Sequence, residues 1–289
     1  MEYIFYIFVI AGIYAILSLS LNLTVGFTGL PVLGHAAFFC IGAYTSSILA
    51  LKAGLTPWIG LIAGACTSAM SGAIIGYPSL RLKGDYLAFT TFGLGVIVYS
   101  VAKNWVTLTR GPVGLPGIPR FTIFGKEITE DFQYLFLVWI FVLTNMFLIN
   151  RLVNSPFGRV LRSIREDEIA SETLGKNTSK YKLSVFVASA FFAGIAGSLY
   201  AHYTTFIDPS SFTMTESITV LLMVIFGGVG NVPGSVLGAV ILVVLPELLR
   251  FLGLPSSIAA PMRQMIYGLL LVILMLRRPQ GIMGTYKFR

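Results

Sequence analysis

The chain has 289 residues, 56% of them hydrophobic and 11% charged, with 20 Lys and Arg against 12 Asp and Glu for a net charge of +8. Soluble domains carry roughly 25% charged residues, so a soluble class is excluded. Apolar blocks of membrane-crossing length instead predict one all-α, polytopic integral membrane bundle over residues 1–289, with interrupted segments and no separate catalytic head.

In chain order the blocks run approximately 3–24, 30–51, 57–77, 86–104, 133–150, 183–204, 217–231, 233–251 and 262–276. Because 217–231 is short and only the turn GGVGNVPG separates it from 233–251, the expectation is eight or nine crossings. The first block lacks a basic leading region and a small-residue cleavage site, so it is expected to be retained as a span. Cys40 and Cys66 fall inside apolar blocks, where small buried hydrophobes are expected rather than a disulfide or metal framework.

Two stretches place glycine and proline within membrane-length runs, one in each half of the chain. The first spans Gly26 to Gly34 and the second Gly227 to Gly238. Non-helical backbone at membrane depth is tolerated only where it is buried or lines a wet cavity, and paired interruptions point to a substrate path. Close helix packing and tight turns are the other reading of the same residues. Path candidates are Gly29, Pro31, Gly34, His35, Gly228, Gly230, Asn231 and Pro233. His35 is either a hydrogen-bonding group for a passing solute or a satisfied structural imidazole. His202, followed by the polar run TTFIDP, reads as interfacial. The segment TRGPVGLPGIP at 109–119 is too rich in Pro and Gly for a helix and reads as successive turns. It is either a landing surface for an extracytoplasmic partner or a plain connector.

The charged loop 151–182 reads RLVNSPFGRVLRSIREDEIASETLGKNTSKYK. Ser163 followed by Glu166 fits a capping box. Acidic Glu166, Asp167 and Glu168 then occupy the first turn of a short helix, and Gly175 supplies its stop. If this loop is cytoplasmic and all nine blocks cross, Arg81, Lys83, Arg277, Arg278, Lys287 and Arg289 fall on the same side. That collects 13 of the 20 basic residues there, as the positive-inside rule expects, with the amino terminus outside and the carboxyl terminus inside. Basic residues parcelled into loops in this way also argue against a nucleic-acid partner.

The span interiors hold no Asp, Lys or Arg, which disfavours a proton-coupled carrier and leaves sodium coupling through backbone carbonyls open. Gly125-Lys126 is followed by Glu127 and Gly175-Lys176 by Asn177, so neither completes a phosphate-binding loop. ATP, if it drives transport, is bound by another polypeptide. Neither histidine has a local nucleophile or a second metal ligand at helical spacing, so no catalytic residue is assigned and a non-enzyme is expected.

Five segments carry a resemblance: LGHAAFFCIGAY at 33–44, LRLKGDYLAFTTFG at 80–93, TRGPVGLPGIP at 109–119, IREDEIASETLGKNTSKYKLSVFVASAFFAGIAGSLYA at 164–201 and FGGVGNVPGSVLGAVILVVLPELLR at 226–250. In this order, over nearly the whole length, the chain resembles the permease subunits of ABC importers for branched-chain amino acids. The resemblance implies a subunit of a bacterial or archaeal cytoplasmic membrane that pairs with a second, similar permease. It further implies two ATPase subunits, which hold ATP and Mg, and an extracytoplasmic amino-acid-binding protein, with no cofactor in this chain. It assigns the coupling helix to Glu166, Asp167, Glu168, Ile169, Ala170, Thr173 and Leu174, closed by Gly175, with Ile169, Ala170, Thr173 and Leu174 as contact surface. Similar frames move urea, short amides or other amino acids, so cargo stays open. A stand-alone channel or sodium-coupled carrier is the alternative of a different class.

Overall fold

A lipid-facing backbone must satisfy its own polar groups, and for these apolar blocks that means helices. The computed structural model describes residues 2–250 except 83, 124 and 125, together with 265, 266, 268, 269, 272, 273, 276, 277 and 280–284. The chain begins with α1 (Glu2–Thr28), α2 (Ala36–Lys52), α3 (Pro57–Ser79), α4 (Asp85–Asn104) and the short α5 (Val106–Thr109). A 3-10 turn at Gly111–Val113 and strands β1 (Leu115–Pro116), β2 (Thr122–Ile123) and β3 (Lys126–Glu127) follow. Next come α6 (Asp131–Asn154), α7 (Pro156–Glu166), α8 (Glu168–Thr173), α9 (Thr178–Thr204), β4 (Phe206–Ile207), α10 (Met214–Gly227) and α11 (Val232–Arg250).

Helices α1, α3, α4, α6 and α9 are long and apolar enough to cross a membrane, while α2, α10 and the Val232–Glu247 part of α11 are shorter apolar helices. The ninth block, 262–276, lies mostly outside the described residues. Several expected boundaries move by four or five residues, and the largest shift is in the block at 30–51, which is helical only from Ala36.

Helix α1 is apolar around its whole circumference, which is the pattern of a helix inside a bundle or a bilayer with no water-facing side. From Val9 onward it is largely buried, with α6, α9, α10 and α11 packed around it, while Tyr3, Ile4, Tyr6 and Phe8 near its start are exposed. A second group, α2, α3 and α9, meets at backbone contact. A Cβ on Gly42 of α2 would lie 2.4 Å from the Gly194 carbonyl oxygen of α9, and one on Gly64 of α3 would lie 2.7 Å from the Gly42 carbonyl oxygen. Small residues at a helix crossing allow this approach, and dispersion over the closely apposed backbones holds it. Helix α4 is the opposite case, burying only Leu87, Thr91 and Ala102.

The 109–119 segment is held by more than turns. β1 pairs antiparallel with β4, and the Ile118 amide donates to the Thr205 carbonyl at 3.1 Å, which seats the segment on the end of α9. His202 lies beneath it, fully buried at 0% exposure rather than interfacial. Its Nδ1 lies 2.6 Å from the Pro119 carbonyl, which can only accept, so Nδ1 carries the proton and Nε2 accepts from the Ser46 hydroxyl at 2.7 Å. In the run after His202, Thr205 caps the end of α9 and accepts from Ile118, while Phe206 and Ile207 form β4, and the imidazole is recruited inward to satisfy the loop. Cys40 is buried as expected, but Cys66 is exposed, because it falls on the outward side of α3.

Candidate functional site

The first interruption lies between α1 and α2. Gly29 takes a left-handed φ of 68° as the chain leaves α1. The following residues hydrogen-bond to neighbouring helices: Leu33 N donates to Thr91 Oγ1 of α4 at 3.1 Å, and Ala36 N to Ser217 Oγ of α10 at 2.9 Å. Gly34 is required by contact, since a Cβ there would sit 1.8 Å from the Thr91 carbonyl oxygen. His35 is buried, with Nε2 2.7 Å from Ser20 Oγ. The Ser20 hydroxyl already donates to the Leu17 carbonyl at 2.7 Å, so the ring supplies the proton of that contact. The imidazole is therefore held through Nε2 within the bundle.

The second interruption is the turn between α10 and α11. Gly228 adopts φ 121°, Gly230 φ 76°, and Pro233 occupies the first turn of α11, where its missing N–H costs nothing. Asn231 caps α11 by accepting from Gly234 N at 2.9 Å and donates through Nδ2 to the Met283 carbonyl at 2.8 Å.

The two interruptions are joined by a residue not selected from sequence. Asn22, 1% exposed inside α1, donates through Nδ2 to the Asn231 carbonyl at 2.9 Å and to Ser235 Oγ at 2.6 Å, while its Oδ1 accepts from Gly230 N at 2.9 Å. The available signal was a lone amide in an otherwise apolar span, which at membrane depth marks a specific partner. Gly29 and Pro31 line a cavity of about 180 Å³ with Thr28, Leu87, Arg165 and Lys182. Gly34 and His35 are packed against α4 and α1 instead, and Gly230 and Asn231 are tied to α1.

In the charged loop the helix boundaries differ from expectation. Ser155 caps α7, accepting from Gly158 N at 3.5 Å, and Pro156 opens that helix. Ser163 thus lies inside α7 with its hydroxyl on the Val160 carbonyl, and Glu166 is the last residue of α7 rather than part of a capping box. The cap of the short helix is Asp167, whose Oδ1 accepts from Ala170 N at 3.0 Å. Both sites match a capping pattern; α7, seeded at Ser155–Pro156, runs through Ser163 and selects the second. Gly175 does close the element, with φ 78°. Asp167→Ala is expected to cost about 1 kcal/mol of local helix stability. Hydrogen exchange should accelerate across 168–173 while the global melting temperature stays put, and unchanged exchange would count against the cap.

One side of α8 is anchored and the other is open. Ser171 is buried, its hydroxyl 3.1 Å from the Ser163 hydroxyl of α7. Glu168 pairs with the buried Lys182 Nζ at 2.6 Å, and Thr178 Oγ1 donates to Glu172 Oε1 at 2.6 Å, so both ends of α8 are tied to the start of α9. Ile169 at 67% and Leu174 at 78% exposure flank the exposed Ala170 and Thr173. The result is a small apolar surface on a short helix tied to α7 and α9.

Residues 3–275 match the family described as "Branched-chain amino acid transport system / permease component". The chain is 40% identical to the high-affinity branched-chain amino acid transport system permease protein LivM of Salmonella typhimurium, over 94% of this chain and 68% of that protein. A probable LivM permease of Methanocaldococcus jannaschii is 28% identical over 94% of this chain and 90% of its own length. The Salmonella typhimurium permease LivH is 24% identical over 94% and 91%. No solved structure matches the chain. With its bundle of apolar helices, two tied interruptions and a family match over almost its full length, the chain belongs to the permease components of branched-chain amino acid transport systems, as a multi-pass membrane protein.

Proposed function

We propose that this chain is one of two permease halves of an ATP-driven importer for branched-chain amino acids, and that α8 docks it to an ATPase subunit. The supporting observation is the exposed patch of Ile169, Ala170, Thr173 and Leu174 on a helix whose opposite side is fixed by the Ser171–Ser163 contact, the Glu168–Lys182 pair and the Thr178–Glu172 bond. Apolar side chains of this size left open on an anchored element are what a protein partner covers, and the flanking cations Arg159, Arg162, Lys176 and Lys180 set register and encounter rate. A second permease partner is supported by the likeness of this one chain to both LivM and LivH. In this reading ATP and Mg reside on the ATPase pair, a binding protein delivers cargo outside, and the interruptions around Gly29, Pro31, Gly230 and Asn231 belong to the route. The α8 end is cytoplasmic, the amino terminus lies outside and the carboxyl terminus inside a bacterial or archaeal cytoplasmic membrane.

Ala170→Arg tests the docking role. Ala170 is exposed, so the fold should tolerate the change to within about 0.5 kcal/mol. The variant is expected to remain in the membrane, to lose its co-purifying ATPase and to lose ATP-driven leucine uptake. Undiminished uptake would end the assignment of α8. Competition of labelled leucine uptake by excess isoleucine or urea checks the cargo, with inhibition by urea alone contradicting it.

A further inference from the structure

The charged loop carries several arginines, and their fates differ. Arg159 and Arg162 are exposed, with Arg162 Nη2 donating only to the nearby Val153 carbonyl at 3.1 Å. Arg165, in the last turn of α7, turns inward: its side chain is 13% exposed, against 61% for the adjacent Glu166. Nη1 donates to the Gly26 carbonyl of α1 at 2.6 Å, while Nη2 meets Glu166 Oε1 at 3.1 Å. Gly26 lies in the final turn of α1, where carbonyls lack helical partners and the helix dipole favours a cation. A Cβ on Gly29 would sit 3.0 Å from Arg165 Cγ, and one on Gly230 would sit 3.0 Å from its Nη1. The guanidinium thus occupies the gap where both interruptions come together, and glycine at each position gives it room.

The contact continues in both directions. Two residues after Arg165, Asp167 begins α8. Beyond Gly26, Asn22 connects the same end of α1 to Gly230, Asn231 and Ser235. A displacement of α8 therefore has a short route to both interruptions, in which Arg165 supplies the hydrogen bond from α7 to α1.

We propose that Arg165 is a positioning residue for transport: its fork transmits movement of the docked helix to the broken ends of α1 and the α10–α11 turn. This rests on the importer reading above. A point charge on a flexible stem reaches the same carbonyl but cannot hold the planar two-sided contact, so lysine replaces part of the role and an apolar chain none of it.

The test uses the complete transporter in proteoliposomes, measuring labelled leucine imported per ATP hydrolysed. Arg165→Met keeps the stem against Gly29 and removes the guanidinium. It is expected to assemble and to hydrolyse ATP near the wild-type rate while importing about tenfold less leucine per ATP, the scale of one lost charge-assisted hydrogen bond. Arg165→Lys is expected to recover most of this, ending about threefold below wild type. A Met variant with the wild-type ratio overturns the proposal. So does one in which hydrolysis and uptake fall together, since that marks a role in folding or docking alone. If the Met variant does not accumulate, the Lys variant decides, and a wild-type ratio there overturns the proposal as well. A wild-type complex that hydrolyses ATP without importing leucine overturns the importer reading itself, which separates the two failures.

Discussion

Asn22→Leu is expected to lower the unfolding free energy in detergent by about 3 kcal/mol, because an orphaned amide and two lost interhelical bonds add together. Asn22 makes three contacts to elements more than 200 residues away in sequence: Asn231 O, Ser235 Oγ and Gly230 N. Leucine of similar size fills the space but accepts nothing from the Gly230 amide. The Asn231 carbonyl keeps other donors, since Ser235 N and Oγ both reach it at 3.2 Å, so the Gly230 amide is the group left in need. Hydrogen exchange at Gly230 should rise more than exchange in α9. Asn150→Leu is the control: Asn150 is exposed and bonded only to Asn154 within α6, so its change should remain within about 0.5 kcal/mol. Equal melting temperatures for the two variants would show that the Asn22 network does not hold the interruptions together.

At Gly42 the expected effect is larger still. A leucine there places Cβ 2.4 Å from the Gly194 carbonyl oxygen, and backbone on both sides leaves no flexible side chain to move aside. Overpacking in a well-filled interior costs about 1–3 kcal/mol and more when backbone must shift, so Gly42→Leu is expected to separate α2 from α9 and to abolish a monodisperse product. Gly93 of α4 provides the contrast, because a Cβ there meets nothing within 4 Å. Gly93→Leu in the isolated chain should be neutral or stabilising by up to about 1 kcal/mol, from helix propensity alone. A folded Gly42→Leu protein melting with wild type would refute the close crossing of α2 and α9.

The two histidines show where sequence reading stops. Both stand near polar residues and neither has a local partner, so position along the chain leaves a solute contact and a structural imidazole both open for His35 and places His202 at an interface. In the fold His35 is held by Ser20 and His202 by Ser46 and Pro119, partners supplied by chain reversals across the bundle. The capping assignment failed for a related reason. Ser163 and Asp167 each suit a helix start, and the choice depends on how far α7 runs before it ends.

The sequence by itself determined the helical membrane class, the approximate positions of most spans, the two interruptions, the α8 region and its Gly175 stop. Those features depend on local quantities: the apolar length needed to cross a bilayer, and the φ angles that glycine and proline permit. Only the tertiary structure decided that Asn22 ties the interruptions together, that Arg165 rather than another arginine enters the gap beside Gly26, and that Gly42 and Gly194 touch. The loop arginines are chemically alike along the chain; what distinguishes Arg165 is the direction in which its turn of α7 faces once α1 has packed against it.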